Sequence, residues 1–371
     1  MKLAFCLYHY FPYGGLQRDF IRIARACIAR GHEIDVYAME WVGPNEPGLR
    51  VHLISTNAWQ NHTKRKQYVE QLQPLLQAGR YDAVVGFNKM PGLDVYYAAD
   101  TCYQAKVKQQ RYFFARWTAR YRDSVAFEEA VFAPEAKTQI LLIAEKQQAE
   151  FEKFYQTPAT RFHLLPPGID KDRVASHDAE DRRHALRKYL GLGRNALMLL
   201  MVGSGFKTKG LDRCLRAFAA LPAAMKQRTH FYIVGKDHPE QFQLLAKKLR
   251  LLDKVHFLGG RDDVADFLLA ADVLLHPAYN ENTGTVLLEA VVSGLPVLTT
   301  DVCGYAHYIQ KAKAGCVLTS PFDQAHMNHV LHDMLHSKER KCWRQNGLDF
   351  AHKADIYSMP EHAVQCIESC V

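Results

Sequence analysis

Long apolar runs are missing from this chain. The longest, Ala196 to Gly203 (ALMLLMVG), falls far short of the roughly 18 residues that cross a bilayer as a helix, so no transmembrane helix is expected. Paired cysteines are missing as well. The nine present, at 6, 27, 102, 214, 303, 316, 342, 366 and 370, are odd in number, scattered, and form no C-x-x-C of metal or redox type. That usage fits a reducing, cytoplasmic compartment. After Met1-Lys2 the run LAFCLY ends at His9 with no small-residue cleavage site behind it, so it reads as a first strand rather than a secretory leader. The chain also lacks G-x-G-x-x-G, the G-K-[ST] ending of a Walker A loop, a fixed-period repeat and any low-complexity tract.

What is present is an ordinary globular composition, 48% hydrophobic and 23% charged over 371 residues, which is longer than one core usually grows and predicts two domains. The balance of 47 basic against 39 acidic residues gives +8, a charge suited to phosphates, nucleic acid or anionic lipid. Short apolar runs alternate with helix-period segments twice. The first series runs through LAFCLY (3–8), a helix from Gly14 to Arg30, IDVYAM, VHLI, a polar helix around 63–78 and DAVVGF. The second runs from ALMLLMVG through HFYIVG, VHFLG, ADVLLHP and PVLTT, with helices at 210–221, 239–251 and 285–293. This is the α/β pattern of two doubly wound parallel-sheet, Rossmann-like domains, expected to face each other across a cleft. Leu165-Pro166-Pro167-Gly168-Ile169-Asp170 forbids helix and reads as the hinge. The expected division is 1–166, 167–350 and a C-terminal helix in 351–371 that returns to the first domain.

Three motifs carry chemistry. Gly14-Gly15 follows the first strand and opens the first helix, where free amides and the positive dipole end suit an anion; Asp19, in the first turn, is also what that dipole favours for structural reasons alone. Gly203-Ser204-Gly205-Phe206-Lys207-Thr208-Lys209-Gly210 follows the first strand of the second series, a glycine-lined turn whose Lys209 can neutralise a phosphate or lie solvated at the surface. The most specific is HPAYNENTGTVLLEA, in which Glu281 sits in a loop and Glu289 inside the following helix, so that the two address different parts of one extended ligand. The amides of Asn282, Thr283, Gly284 and Thr285 lie at that helix start, ready for hydroxyls or phosphate oxygens.

The E-x7-E element at Glu281 and Glu289, the Gly14-Gly15 loop, the Lys209-Gly210 turn and the Pro-Pro-Gly-Ile-Asp hinge occur in the order found in the retaining glycosyltransferases of family 4, which have the two-domain GT-B fold, and the chain resembles that family. Over FCLYHYFPYGGLQRDFIRIA, VVGFNKMPGLDVYYAADTCY, LLPPGID, LLHPAYNENTG and GLPVLTTDVCGYAHYI it is similar to the lipopolysaccharide core glucosyltransferases of Gram-negative bacteria, nearly from end to end. The resemblance implies a set of roles. Glu289 holds the donor ribose; Glu281 and the amides after it lie beside the donor sugar; Lys209 and the Gly14 and Gly15 amides bind the diphosphate. Gly203 lines the turn, and Arg173 and Arg261 are further donor contacts. Asp19, Lys209 and Glu281 are the catalytic candidates, with Asp19 orienting the acceptor hydroxyl or the donor sugar. Many family members carry an arginine after the glycine equivalent to Gly203; here it is Ser204, and Arg173 is the expected substitute for its charge.

One segment is unlike the rest. YQAKVKQQRYFFARWTARYR, Tyr103 to Arg122, has six basic residues, six aromatics and no acid. As one helix it would place rings on one face and cations beside them, a layout suited to an anionic membrane surface through Lys106, Lys108, Arg111, Arg116, Trp117, Arg120 and Arg122. A core helix whose cations snorkel to water is the structural alternative. No nucleic-acid module is recognisable.

The expectation is therefore a cytoplasmic enzyme, peripheral on the inner face of the bacterial inner membrane, that moves glucose from UDP-glucose to an inner-core heptose of lipopolysaccharide with retention. It would need no metal, although Asp170-Lys171-Asp172 spells D-x-D, because that triplet follows the hinge rather than a strand. Its partners are UDP-glucose, the heptose acceptor and anionic lipid, with no nucleic acid. The rivals are the same site with UDP-galactose, UDP-N-acetylglucosamine or GDP-mannose, and a non-catalytic membrane-binding scaffold.

Overall fold

The computed structural model describes residues 1–12, 14–44, 46–109 and 117–370. The chain divides into two compact units, Met1–Gly168 with Tyr357–Val371, and Ile169–Ile356.

The first unit opens with β1 (Lys2–Cys6), β2 (His9–Tyr10), α1 (Gly15–Ala29), β3 (Glu33–Ala38), β4 (Glu40–Trp41), β5 (Leu49–Leu53) and α2 (Asn61–Gly79). It continues with β6 (Ala83–Gly86), β7 (Val95–Ala98), α3 (Tyr103–Gln109), α4 (Ala119–Phe132), β8 (Gln139–Leu142), α5 (Lys146–Tyr155) and β9 (Phe162–Leu164). Seven strands form a parallel sheet in the order β5-β3-β1-β6-β7-β8-β9, while β2 and β4 pair separately. The alternation along β1 feeds two cores. Leu3 and Phe5 pack with Phe20 and Ile23 of α1 on one face; Ala4 and Cys6 pack with Tyr68, Tyr96 and Phe132 on the other. Where both faces are covered, as along β6 and β7, the strands are apolar throughout.

The second unit contains α6 (Ala179–Tyr189), β10 (Leu197–Val202), α7 (Leu211–Ala220), α8 (Ala223–Arg228), β11 (Thr229–Val234), α9 (Glu240–Lys248), β12 (Val255–Phe257), α10 (Val264–Ala270) and β13 (Val273–His276). It ends with α11 (Thr285–Val292), β14 (Val297–Thr300), α12 (Ala306–Ala312), β15 (Gly315–Leu318), α13 (Gln324–His336) and α14 (Arg340–Lys353). Its parallel sheet has the order β12-β11-β10-β13-β14-β15. The run that stood out as most apolar is β10, at the middle of this sheet.

From Tyr357 the chain belongs again to the first unit. There α15 (Met359–Glu368) lies along α1, with Met359, Ala363, Val364 and Ile367 completing the Phe20 side of the core. The change of unit falls later than the expected 351, because Phe350 and Ala351 are still inside α14, which packs on α11. All nine cysteines are free. Among the described residues no helix is long and apolar enough to cross a membrane.

Candidate active site

In the second unit the singled-out groups follow strands at their carboxyl ends, where open α/β sheets bind ligands. The chain passes from β10 to β11 and β12 on one side, then returns to β13 on the other, so β10 and β13 flank the reversal of strand order. Lys209 follows β10 and Glu281 follows β13, and the two side chains meet there. Lys209 Nζ donates to Glu281 Oε2, and His276 Nε2 lies 3.3 Å from the same oxygen.

Local backbone geometry creates this meeting. Gly203 has φ +126°, and a Cβ there would lie 2.7 Å from Lys209 Cε, so the space left by the absent side chain is where the lysine stem runs. Gly210, at φ +78°, caps α7 and faces the carbonyl of Pro277, which a Cβ would approach to 2.1 Å. The turn and the loop are fastened further. Tyr279 N donates to Thr208 O at 2.8 Å, and Arg213 donates to the carbonyls of Pro277 and Ala278 at 3.0 and 2.9 Å. The Arg213 guanidinium also stacks on Tyr279 and Phe322, 3.5 and 3.7 Å from their ring centroids.

Burial of Glu281 works against its charge, but the hydrogen bond from His276 and the Lys209 charge outweigh that and hold its carboxyl down at about 2. Burial likewise keeps the fully enclosed His276 below the usual imidazole range. A neutral ring facing a carboxylate carries its proton on Nε2, which leaves Nδ1 without a hydrogen-bond partner among the described residues. The folded chain therefore holds Glu281 below its ordinary value of 4.5, and the stability this gives is complete above that pH and lost as pH falls towards 2. Glu281→Gln is expected to flatten the fall in Tm between pH 5 and 3. An unchanged Tm–pH profile in the variant would remove Glu281 from that acid step.

Asn282 and Thr283 continue the loop, Gly284 caps α11 and Thr285 begins it; Tyr305 N donates to Thr283 O at 2.8 Å and holds the loop in place. Glu289 is buried within α11 at 3% exposure. Arg173 closes a 3-10 turn, Lys171–Arg173, that packs on α11. Arg261 is engaged locally, with its guanidinium forming two 2.6 Å hydrogen bonds to Asp263. Two residues without an assigned role belong to this end of the sheet. His276 closes the apolar strand five positions before Glu281, and Lys236 follows Gly235 after β11. Ser204 Oγ, at the position of the family arginine, accepts from the Lys236 amide at 3.2 Å, which places a lysine backbone beside that turn. A polar residue directly after each apolar run was the available signal for both. Among the described residues no group of three His, Cys, Asp or Glu is placed to hold a metal ion.

In the first unit Gly14 caps α1 and Gly15 begins it, with open space where a Gly15 side chain would stand. Asp19 accepts from Tyr97 Oη at 2.8 Å and from Arg22 Nη1 at 3.0 Å, and burial raises its pKa against those partners. The basic segment is not one helix. α3 ends at Gln109, residues 110–116, including Arg111 and Arg116, lie outside the described residues, and a new helix starts after Thr118, whose extended backbone and side-chain oxygen cap α4 through the Tyr121 amide at 3.2 Å. Trp117, before that cap, therefore does not share a helical face with Tyr121. Trp117 is 86% exposed, and Lys106, Lys108, Arg120 and Arg122 are also exposed.

Two doubly wound parallel sheets are the architecture of the GT-B glycosyltransferases, and the comparisons place the chain in that class. The Glycosyltransferase Family 4 model matches residues 13–173, and the Glycosyl transferases group 1 model matches residues 183–349. The lipopolysaccharide glucosyltransferase WaaG of Escherichia coli (strain K12) is 46% identical over 99% of this chain and 98% of that protein. The crystal structure of WaaG, a glycosyltransferase involved in lipopolysaccharide biosynthesis, superposes with a TM-score of 0.95 over 98% of this chain and 99% of that one. The chain belongs to this lipopolysaccharide glucosyltransferase family. Anabaena Alr3699/HepE, solved in complex with UDP and glucose, shares the fold at a TM-score of 0.77 over the full length of both chains with 17% identity.

Proposed function

We propose that the chain transfers glucose from UDP-glucose to an inner-core heptose of lipopolysaccharide, with retention and without a metal. The observation that carries the reading is the Lys209–Glu281–His276 cluster at the strand-order reversal. An ammonium has three donors. Glu281 takes one and orients the group, leaving two for diphosphate oxygens. In the reaction the bond from the sugar anomeric carbon to the diphosphate oxygen breaks, and a bond from the acceptor oxygen forms on the same face. The acceptor proton passes to the departing oxygen, whose growing charge Lys209 stabilises. Glu289 holds the ribose hydroxyls, the amides from Asn282 to Thr285 serve the donor sugar and phosphates, and Arg173, Arg261 and the Gly14 and Gly15 amides supply further anion contacts. Asp19 orients the acceptor hydroxyl.

Transfer of radiolabelled sugar from UDP-glucose, UDP-galactose, UDP-N-acetylglucosamine and GDP-mannose to truncated core lipopolysaccharide, with chelator present, tests the reading. Transfer from UDP-glucose alone is expected. Preference for another donor, or loss of transfer with chelator, overturns it. Glu289→Ala should weaken UDP binding by about 1.5–3 kcal/mol through lost charge-assisted hydrogen bonds. Unchanged affinity by calorimetry in the folded variant would reject the ribose assignment.

The same enzyme is proposed to work peripherally at the inner face of the inner membrane. The exposed Trp117, Lys108 and Arg122 support this, each cation near anionic lipid contributing about 1 kcal/mol. Replacing Lys108 and Arg122 with Gln and Trp117 with Ala is expected to release the protein from anionic vesicles, and salt should act similarly. Equal sedimentation with neutral and anionic vesicles would defeat the assignment.

A further inference from the structure

The first unit has a cavity of about 250 Å³ outside the carboxyl ends of β1, β6 and β7, reached through Tyr8, Asn88 and Asp100 just past those strands. The chain winds from β1 to β3 and β5 on one side, then begins again with β6 on the other, so this is the reversal of strand order in the first sheet. Its volume lies below the roughly 300–1,000 Å³ of drug-sized sites, which suits a single sugar ring.

The floor of the cavity is held rigidly. Asn88 Oδ1 accepts from Tyr8 N at 2.8 Å, and Tyr8 Oη donates to Lys89 O at 3.0 Å. Two of the charges at its wall cancel. Lys89 donates to the fully buried Glu128, whose carboxylate also accepts from Tyr155 Oη and from the Tyr103 amide at the start of α3. Asp123 lies 4.0 Å from His62. Arg65, Lys106 and Arg120 are different: their side chains make no hydrogen bond or ion pair to any described residue, and Arg65 merely overlies the Tyr8 ring at 5.2 Å. Against these three cations stand two carboxylates without a hydrogen bond among the described residues, those of Asp100 and Asp123, so the wall keeps an excess of positive charge.

We propose that this cavity binds an acidic sugar unit of the acceptor, one bearing a carboxylate or a phosphate. The proposal rests on the glycosyltransferase reading and deepens its acceptor side. Arg65, Lys106 and Arg120 receive the anion, the arginines offering planar forks of donors that match its oxygens. Asp100 accepts from a ring hydroxyl, and the rings of Tyr103 and Phe127 bound the apolar side of the cavity. Lys106 and Arg120, singled out from sequence for lipid, thus act on the acceptor.

The test uses the full chain and a soluble core oligosaccharide in three forms: native, dephosphorylated, and carboxyl-reduced. Arg65→Gln and Arg120→Gln are each expected to raise the acceptor KM about tenfold on the native form, with kcat and UDP affinity within twofold. Arg65→Lys should restore part of the loss. The wild type should lose the same factor on whichever stripped form lacks the recognised anion, and on that form the variants should lose nothing further. Which form this is distinguishes carboxylate from phosphate. Unaltered KM in both variants, or an equal loss on all three forms, overturns the proposal. Calorimetric binding of the same oligosaccharides without donor reads the cavity independently of turnover. Intact, charge-dependent binding without transfer from any donor would count against the reaction and not the cavity; absence of charge-dependent binding would count against the cavity.

Discussion

Lys209→Ala is expected to lower kcat by about 10²–10³, the loss seen when one preorganised electrostatic group is removed from a transition state. The donor KM should change far less. Charge on the diphosphate oxygen grows as the sugar bond breaks, so the ammonium interacts more strongly with the transition state than with bound donor. The variant keeps Glu281 and His276, whose 3.3 Å contact does not involve the lysine, so the loss does not require collapse of the loop. Steady-state kinetics over a range of UDP-glucose decide the matter. A rise in KM at constant kcat would make Lys209 a uniform binder and return the leaving-group role to another cation.

Gly210→Ala should have the largest effect on the fold. Its φ of +78° costs a residue with a side chain about 1–2 kcal/mol, and the Cβ would press on the Pro277 carbonyl, adding about 1–3 kcal/mol of overpacking. A total of about 2–5 kcal/mol is expected, visible as a lower denaturant midpoint. Relief of the contact moves the loop that carries Glu281, so donor affinity should fall in whatever fraction stays folded. A variant with wild-type midpoint and UDP affinity would show that the Gly210–Pro277 contact does not set the site.

The candidate site of the second unit was legible because its polar residues interrupt apolar strands. ALMLLMVG, HFYIVG and ADVLLHP each end in the residues that carry or border it, and all three became strands of the second sheet. The first sheet was read only in part. VYYA, QILL and FHL form β7, β8 and β9, and none was recognised from its pattern. Strands of three or four residues are too short to establish a period, and β7 and β8 pair across more than forty residues of sequence. The aromatic face drawn across Trp117 and Tyr121 failed for a local reason: Thr118 offers its own oxygen to the Tyr121 amide, and a hydroxyl competing for backbone donors outweighs helical periodicity. The cavity of the first unit was invisible for another reason. Arg65, Asp100 and Arg120 come from segments that only the crossing of the chain from β5 back to β6 brings together.

The return of α15 to α1 gives this chain an unusual order of assembly. On the ribosome the first unit emerges first, yet the side of its core around Phe20 and Ile23 waits for Met359, Val364 and Ile367. The whole of Ile169–Ile356 is made in between, on the order of 10–40 s at ordinary elongation rates. By the end of that interval the second unit has its own complete set of strands and can close, while the first still lacks the helix that covers its apolar stripe. Truncation within α15 should therefore leave that stripe uncovered and harm solubility before it harms nucleotide binding.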